Sequence, residues 1–343
     1  MVAYPVKLRG ALEGGLKYLV LSAAASAFLL FGMALIYSQT GVLSFRGIAD
    51  WNLAAGTGNL VVLTGVSLML AGAGFKLSVV PFHFWTPDVY EGAPAPVTGF
   101  LATASKTAMF AVLLRFFIEA GFFRYGSVLD VLTAMAVASI LVGNVLALLQ
   151  TNIKRMLAYS SIAHFGYLLV ALVAAGPLAV EAVGVYLITY VVTTLSAFGV
   201  VTLMSSPFGE RDATQIYDYR GLFWRRPFLT SILTVAMLSL AGIPLTAGFI
   251  GKFYIIATGV AQHQWLLIAA VVAGSAIGLY YYLRVMISMF LLDPQRRRFS
   301  APLHWAQQAG GVMTLGLMLL MLVLGIYPEP FIKIIQAAAL NFH

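Results

Sequence analysis

Apolar residues run in long blocks along this chain, and polar residues gather in short stretches between them. About nine blocks can be marked, near residues 18–38, 57–79, 97–118, 127–149, 156–174, 180–205, 228–256, 263–290 and 308–327. Blocks of about 18–28 residues suit helices crossing a hydrocarbon layer, whereas the strands of a membrane barrel alternate over about ten. In hydrocarbon a helix satisfies its own backbone groups. The pattern therefore predicts an all-α, polytopic membrane helix bundle.

Two blocks carry their own breaks. The second passes into Lys76-Leu-Ser-Val-Val-Pro81-Phe-His83-Phe-Trp85-Thr-Pro87, and the seventh contains Leu238-Ser239-Leu-Ala-Gly242-Ile-Pro244-Leu-Thr246. Proline removes a backbone donor and clashes with the preceding turn, so each block predicts a broken helix. Both stretches read Leu-Ser, then small or apolar residues, then Pro. A second echo pairs Pro96-Val-Thr98-Gly99-Phe100 with Pro244-Leu-Thr246-Ala-Gly248-Phe249. Paired broken helices point to internal repeats around a midplane site, with a chance match as the alternative.

Composition agrees. Of 343 residues 61% are hydrophobic and 9% charged, with mean hydropathy +0.93. A soluble domain carries about a quarter charged residues. The absence of cysteine excludes disulfides, thiolate-held iron–sulfur clusters and zinc–thiolate sites on this chain. The formal charge of +8 sits in the connections and reads as topology signals, not as a nucleic-acid surface. Basic connections hold Lys7, Arg9 and Lys17; Lys154 and Arg155; Arg211, Arg220, Arg225 and Arg226; and Arg296, Arg297 and Arg298. They alternate with poorer ones: Arg46 with Asp50, Arg124, Glu181, and His263. The positive-inside rule then predicts a cytoplasmic N-terminus and His343 on the outer side. Asp88 and Glu91 fall, unexpectedly, on the predicted inner side. Residues 1–17 lack the apolar core of a signal peptide and read as a cytoplasmic lead-in loop.

Some charges fall inside the blocks. Lys106 lies ten residues after Pro96, ~15 Å along a helix and about half the hydrocarbon depth. His164 lies ~14 Å inward from Arg155 by the same rise. Lys76 precedes the first break, Lys252 follows the second, and His83 lies in the first. An intramembrane lysine costs roughly 2.5–3.5 kcal/mol, so it faces a partner or water. Burial disfavours a charged amine and a nearby carboxylate restores it. Such an amine can lose and regain a proton as its neighbour moves, which is the chemistry of a proton relay.

Plainer readings compete. Lys76, Lys106 and Lys252 can snorkel to an interface. His164, beside Ser160 and Ser161, can be a hydrogen-bonded core histidine, and His83 can hold the broken backbone. Arg115 and Glu119 read as an interfacial pair, Asp130 as a helix cap, and Arg284 as the end of its span. The clusters Phe82-His83-Phe84-Trp85 and Tyr280-Tyr281-Tyr282 read as packing or interface belts. Gly65, Gly72 and Gly74 read as helix packing. No phosphate loop, dinucleotide fingerprint, metal site or haem ligand pair is found, so redox chemistry is expected on another polypeptide.

Four strings carry a resemblance. They are Gly74-Phe-Lys76-Leu-Ser-Val-Val-Pro81-Phe-His83-Phe-Trp85-Thr-Pro87-Asp88-Val-Tyr90-Glu91-Gly92-Ala-Pro94-Ala-Pro96, Ala104-Ser105-Lys106, Thr151-Asn152-Ile-Lys154-Arg155 leading to Tyr159-Ser160-Ser161-Ile-Ala-His164, and Gly248-Phe-Ile-Gly251-Lys252-Phe-Tyr. Together they resemble the antiporter-like membrane subunits of the proton-pumping NADH:quinone oxidoreductase, respiratory complex I. Ser22-Ala-Ala-Ala-Ser26 and Met237-Leu-Ser-Leu-Ala-Gly-Ile-Pro244 favour the N-type branch.

The resemblance implies inverted repeats, each with a broken helix. It divides the chain into the lead-in at 1–17, the remainder of a first repeat at 18–120, a second repeat at 127–290, and a C-terminal transmembrane helix and tail at 305–343. It implies Lys76 as gated acceptor, Lys106 as central relay and Lys252 as exit or connecting site, with His83 and His164 beside the same axis. The family pairs its first broken-helix lysine with a glutamate on an earlier helix. No residue here matches it, Glu13 lying in the lead-in, and spans upstream of Met1 or a truncated copy are expected. NADH, FMN, iron–sulfur clusters and quinone would be handled by other subunits, with no cofactor on this chain. Implied partners are the other membrane subunits of the complex, sister antiporter-like subunits among them, and the lipid bilayer, with no nucleic acid. The implied location is a bacterial inner membrane, with the C-terminus periplasmic. A cation/proton antiporter subunit of the Mrp type and a structural subunit that assembles without pumping are the alternatives.

Overall fold

A computed structural model describes residues 1–3, 9–176, 178–205, 212–291 and 305–339. The charges at Lys7, Arg211, Arg296, Arg297 and Arg298 and the terminus at His343 lie outside these residues. Helices account for every apolar block. In chain order they are α1 (Arg9–Thr40), α2 (Phe45–Ala55), α3 (Leu60–Leu77), α4 (Trp85–Gly92), α5 (Ala95–Phe100), α6 (Lys106–Glu119), α7 (Gly126–Leu148) and α8 (Ile153–Ala174). They continue as α9 (Ala179–Met204), α10 (Leu222–Arg225), α11 (Pro227–Ala241), α12 (Ala247–Ala261), α13 (Trp265–Phe290), α14 (Trp305–Ile326) and α15 (Glu329–Ala339). Among the described residues eight segments are long and apolar enough to cross a membrane, and α11 and α12 are shorter apolar helices that share the seventh block.

Local sequence sets the helix starts. The Asn59 side chain accepts the Val61 and Val62 N–H groups to cap α3, and Asn152 accepts those of Lys154 and Arg155 to cap α8. The centre of the bundle is α8, whose most apolar stretch is 94% buried, against 17% for α1 and α14. Those outer helices leave large apolar side chains such as Phe31 and Val312 exposed, as hydrocarbon-facing surface requires. The packing role read for Gly65 and Gly72 holds. A Cβ on Gly65 would lie 2.8 Å from the Gly32 carbonyl oxygen, and one on Gly72 would lie 2.6 Å from that of Ala25.

Two expectations change. The lead-in is helical from Arg9, so Glu13 and Lys17 lie on α1, where they form an ion pair. Asp130 caps nothing, because α7 begins at Gly126 with Tyr125 at its N-cap position. The tail after the last span forms the short helix α15. Arg115 and Glu119 do pair, at 2.6 Å.

Candidate functional site

Both broken helices end in the same closure. Helix α3 stops at Ser78 (φ 63°), whose N–H donates to the Gly74 and Phe75 carbonyls, while the Val79 N–H also reaches Gly74. Helix α11 stops at Gly242 (φ 82°), whose N–H donates to the Leu238 and Ser239 carbonyls, while Ile243 reaches Leu238. This left-handed closure satisfies carbonyls that a broken helix would orphan. It matches Ser78 with Gly242, so the register of the two breaks differs from the Leu-Ser echo in the sequence. A serine hydroxyl then holds each loosened segment. Ser139 Oγ accepts from the Val80 N–H at 2.9 Å, and Ser239 Oγ accepts from the Gly248 N–H at 3.0 Å.

Lys106 follows a π-helical turn, Leu101–Ser105, which joins α5 to α6. Nothing in the apolar pattern signals that turn. The side chain is 1% exposed and does not snorkel. Its Nζ donates to Ser161 Oγ at 2.9 Å and stands over the rings of Tyr90 and Phe165, 5.5 and 5.2 Å from their centroids. The Tyr190 hydroxyl donates to the same Ser161 oxygen at 2.8 Å.

His164 lies three residues beyond Ser161 on α8. Its Nδ1 is 2.6 Å from the Tyr186 hydroxyl and its Nε2 is 3.1 Å from that of Tyr282. Tyr282 also hydrogen-bonds Ser160. Tyr281 donates to Asn144 Oδ1 at 3.0 Å, and Asn144 Nδ2 donates to the Tyr167 hydroxyl at 3.0 Å. Tyr281 and Tyr282 are therefore part of a buried polar network and not a belt, whereas Tyr280 is 63% exposed.

Lys252, on α12, is also buried. Its Nζ donates to the Ala241 carbonyl at 2.8 Å, a group left open where α11 ends, and lies 5.4 Å from the Tyr167 ring centroid. Gly242 makes room for it, since a Cβ there would sit 2.6 Å from Lys252 Cδ. His164, Tyr186, Tyr190, Ser239 and Lys252 line one small, tightly packed cavity. Tyr190 thus belongs both to this cavity and to the Lys106 arm.

Two candidates stay apart from this chain. Lys76, half-buried in the last turn of α3, has no hydrogen-bond or ion-pair partner among the described residues. His83 is buried against the Phe84 ring at 4.4 Å, and among the described residues its Nδ1 has no partner of good hydrogen-bond geometry. The sequence reading missed Ser161, Tyr186 and Tyr190. Their one sequence signal is a hydroxyl inside an apolar run.

The basic end of the bundle explains the misplaced acids. Asp88 accepts from Lys17 at 2.7 Å and from Arg155 at 2.9 Å, and Arg155 also reaches Glu91 at 2.8 Å. Burial works against the Asp88 carboxylate, but the hydrogen bonds from Lys17 and Arg155 outweigh it and hold its pKa below the ordinary aspartate value. Lys154, read as a loop charge, is buried instead. Its Nζ donates to Asp212 Oδ2 at 2.7 Å and to the Ala93 carbonyl at 2.5 Å. Arg284 lies inside α13, which runs on to Phe290, and donates to the Leu148 and Gln150 carbonyls.

Residues 2–278 match the family described as NADH:quinone oxidoreductase/Mrp antiporter, TM. The chain is 61% identical over 340 residues to NADH-quinone oxidoreductase subunit N of Ectopseudomonas mendocina, covering 99% of this chain and 68% of that protein. A solved structure of respiratory complex I from Thermus thermophilus with bound aureothin contains a similar chain, with TM-score 0.80 and 35% identity, over 95% of this chain and 70% of that one. A chain of the Mrp complex from a Dietzia species has TM-score 0.85 at 21% identity, over 97% of this chain and 68% of that one, and shows the shared fold alone.

Proposed function

The chain belongs to the NADH:quinone oxidoreductase/Mrp antiporter membrane family, as an N-type, antiporter-like subunit of complex I, and from that premise we propose that it relays protons between Lys106 and Lys252. The observation that carries this reading is the buried polar chain from Lys106 through Ser161 and Tyr190 to the cavity of His164 and Lys252. No member of that chain is a carboxylate. A proton on either amine therefore lacks a fixed counter-ion, and its place depends on hydrogen bonds and on charges that move nearby. Hydroxyls suit transfer because each can accept and donate at once. His164 has both ring nitrogens engaged, so it can take a proton on one side and release one on the other.

Lys76 and His83 are assigned to the same axis as acceptor and neighbour, at the first break. The matched closures at Ser78 and Gly242 support two related repeats, at 18–120 and 127–290. The gathering of Lys17, Lys154, Arg155 and Arg284 at one end supports a cytoplasmic placement of that end in a bacterial inner membrane. Sister antiporter-like subunits are the partners, and quinone reduction elsewhere in the complex drives the relay.

Lys106→Met in the assembled complex tests the reading. NADH oxidation by the peripheral subunits should persist while the NADH-driven pH gradient in sealed vesicles falls about tenfold or more. Unchanged pumping removes Lys106 from the path.

A further inference from the structure

At the basic end, residues 212–219 lie as a strap across the start of α8. The Ile153 N–H donates to the Thr214 carbonyl at 2.7 Å, and the Ile216 N–H to that of Thr151 at 2.9 Å. The Ala213 N–H donates to Ser205 Oγ at 3.0 Å, and the Tyr219 hydroxyl to the Ala213 carbonyl at 2.9 Å. The strap carries Asp212 over Lys154. The Asp212 side chain is 22% exposed and that of Lys154 is 1% exposed. One carboxylate oxygen, Oδ2, accepts both from Lys154 Nζ and from the Ala95 N–H. Desolvation of a buried ion pair offsets most of its attraction, so stability alone is a weak reason for it. The strap is already fastened by its other hydrogen bonds.

The position of the pair is more telling. Lys154 and Ser161 are seven residues apart on α8, so they share a face and lie ~10 Å apart along the axis. Ser161 holds Lys106. The gap is spanned by residues 90–93: Lys154 Nζ bonds the Ala93 carbonyl, and Lys106 Nζ stands over the Tyr90 ring. Among the described residues the buried Tyr90 hydroxyl has no partner of good hydrogen-bond geometry, and its nearest polar neighbour is Ser161, which also holds Lys106.

We propose that Asp212 and Lys154 form the port through which protons from the aqueous phase reach Lys106. The assignment rests on the reading of Lys106 as a relay amine. The Lys154 ammonium passes its proton inward, along residues 90–93, to Lys106 in its neutral form. Asp212, already protonated from solvent, then passes its proton to the Lys154 amine. Both groups return to their starting charges, and one proton has moved from solvent to Lys106. Among the described residues, the charged and titratable groups facing the pair are Glu91, held by Asn152 Nδ2 at 3.0 Å, Arg155 and Asp88 beside it, and the Tyr219 hydroxyl under the strap.

Two variants of the assembled complex decide the matter. Asp212→Asn can keep both hydrogen bonds to its oxygen but carries no proton. Lys154→Arg keeps the ion pair but cannot release a proton. Each should assemble and lose about tenfold in proton pumping at neutral pH. For Asp212→Asn, added formate or azide should restore much of the rate, because a small weak acid replaces the lost carrier. Lys106→Met should not respond to weak acid, which separates failure of the port from failure of the relay. Wild-type pumping in Lys154→Arg overturns the port. A loss in Asp212→Asn that weak acid leaves untouched, or failure of both variants to assemble, makes the pair a structural latch and also overturns it.

Discussion

Lys106 is held by Ser161: its ammonium donates to the serine hydroxyl at 2.9 Å, in a place where neither group meets solvent. Because Tyr190 donates to the same oxygen, both acceptor positions of Ser161 are used and its own proton is left to give away. That makes the serine a junction and not only an anchor.

Ser161→Ala should therefore do two things. It should leave two buried donors unpaired, at about 1–3 kcal/mol each, and lower the thermal midpoint of the purified complex. It should also cut proton pumping while NADH oxidation by peripheral subunits continues. Equal pumping in vesicles of the variant and the parent would show that the relay bypasses Ser161.

Gly242→Ala strains a left-handed position, at roughly 1–2 kcal/mol, and places a methyl group against the Lys252 chain. The ammonium must then leave the Ala241 carbonyl. The expected outcome is a pumping defect larger than the loss in stability explains, read by comparing pumping and thermal midpoint with those of Lys252→Met.

Tyr282→Phe removes the hydroxyl shared by His164 and Ser160, whereas Tyr280→Phe changes only an exposed ring. The first should slow pumping and destabilise by about 1–3 kcal/mol, and the second should do neither. Matching behaviour in the two variants would count against a separate role for Tyr282.

Asp88 supplies a pH dependence. Its folded pKa is lowered below the unfolded value, about 3.9, so its contribution to stability is complete above the unfolded value and is lost as pH falls through the folded value. Acid should loosen the contact of α4 with Lys17 and Arg155 over that window. Asp88→Asn should be less stable than the parent at neutral pH, and the difference should shrink as acid protonates the folded-state carboxyl. Thermal unfolding across that range checks it.

Much of this molecule is readable from pattern. A run of apolar residues long enough for a membrane must hydrogen-bond its own backbone, so the spans follow from composition alone. Gly242 with Pro244, and Pro81 after Lys76, mark the helix breaks for a similarly local reason. The depths of Lys106 and His164 come from helical rise. Local rules were less reliable where a charge had a distant partner. Lys154 looked like a loop residue because Asp212, its partner, is 58 positions away. Asp88 and Glu91 looked misplaced until α1 and α8 brought Lys17 and Arg155 to them. Tyr281 and Tyr282 looked like a belt because a tyrosine in an apolar run reads the same whether it faces lipid or the core.

By itself, then, the sequence determined the membrane class, the spans, the breaks and which amines lie deep. Those depend on hydropathy, backbone hydrogen bonding and helical rise, all of which act within one segment. Which hydroxyl each amine meets, the π turn before Lys106, the matched closures at Ser78 and Gly242 and the strap over Lys154 were decided only by tertiary structure. Hydrogen bonds join groups within about 3 Å, and only packing of the helices around α8 brings residues far apart in sequence that close.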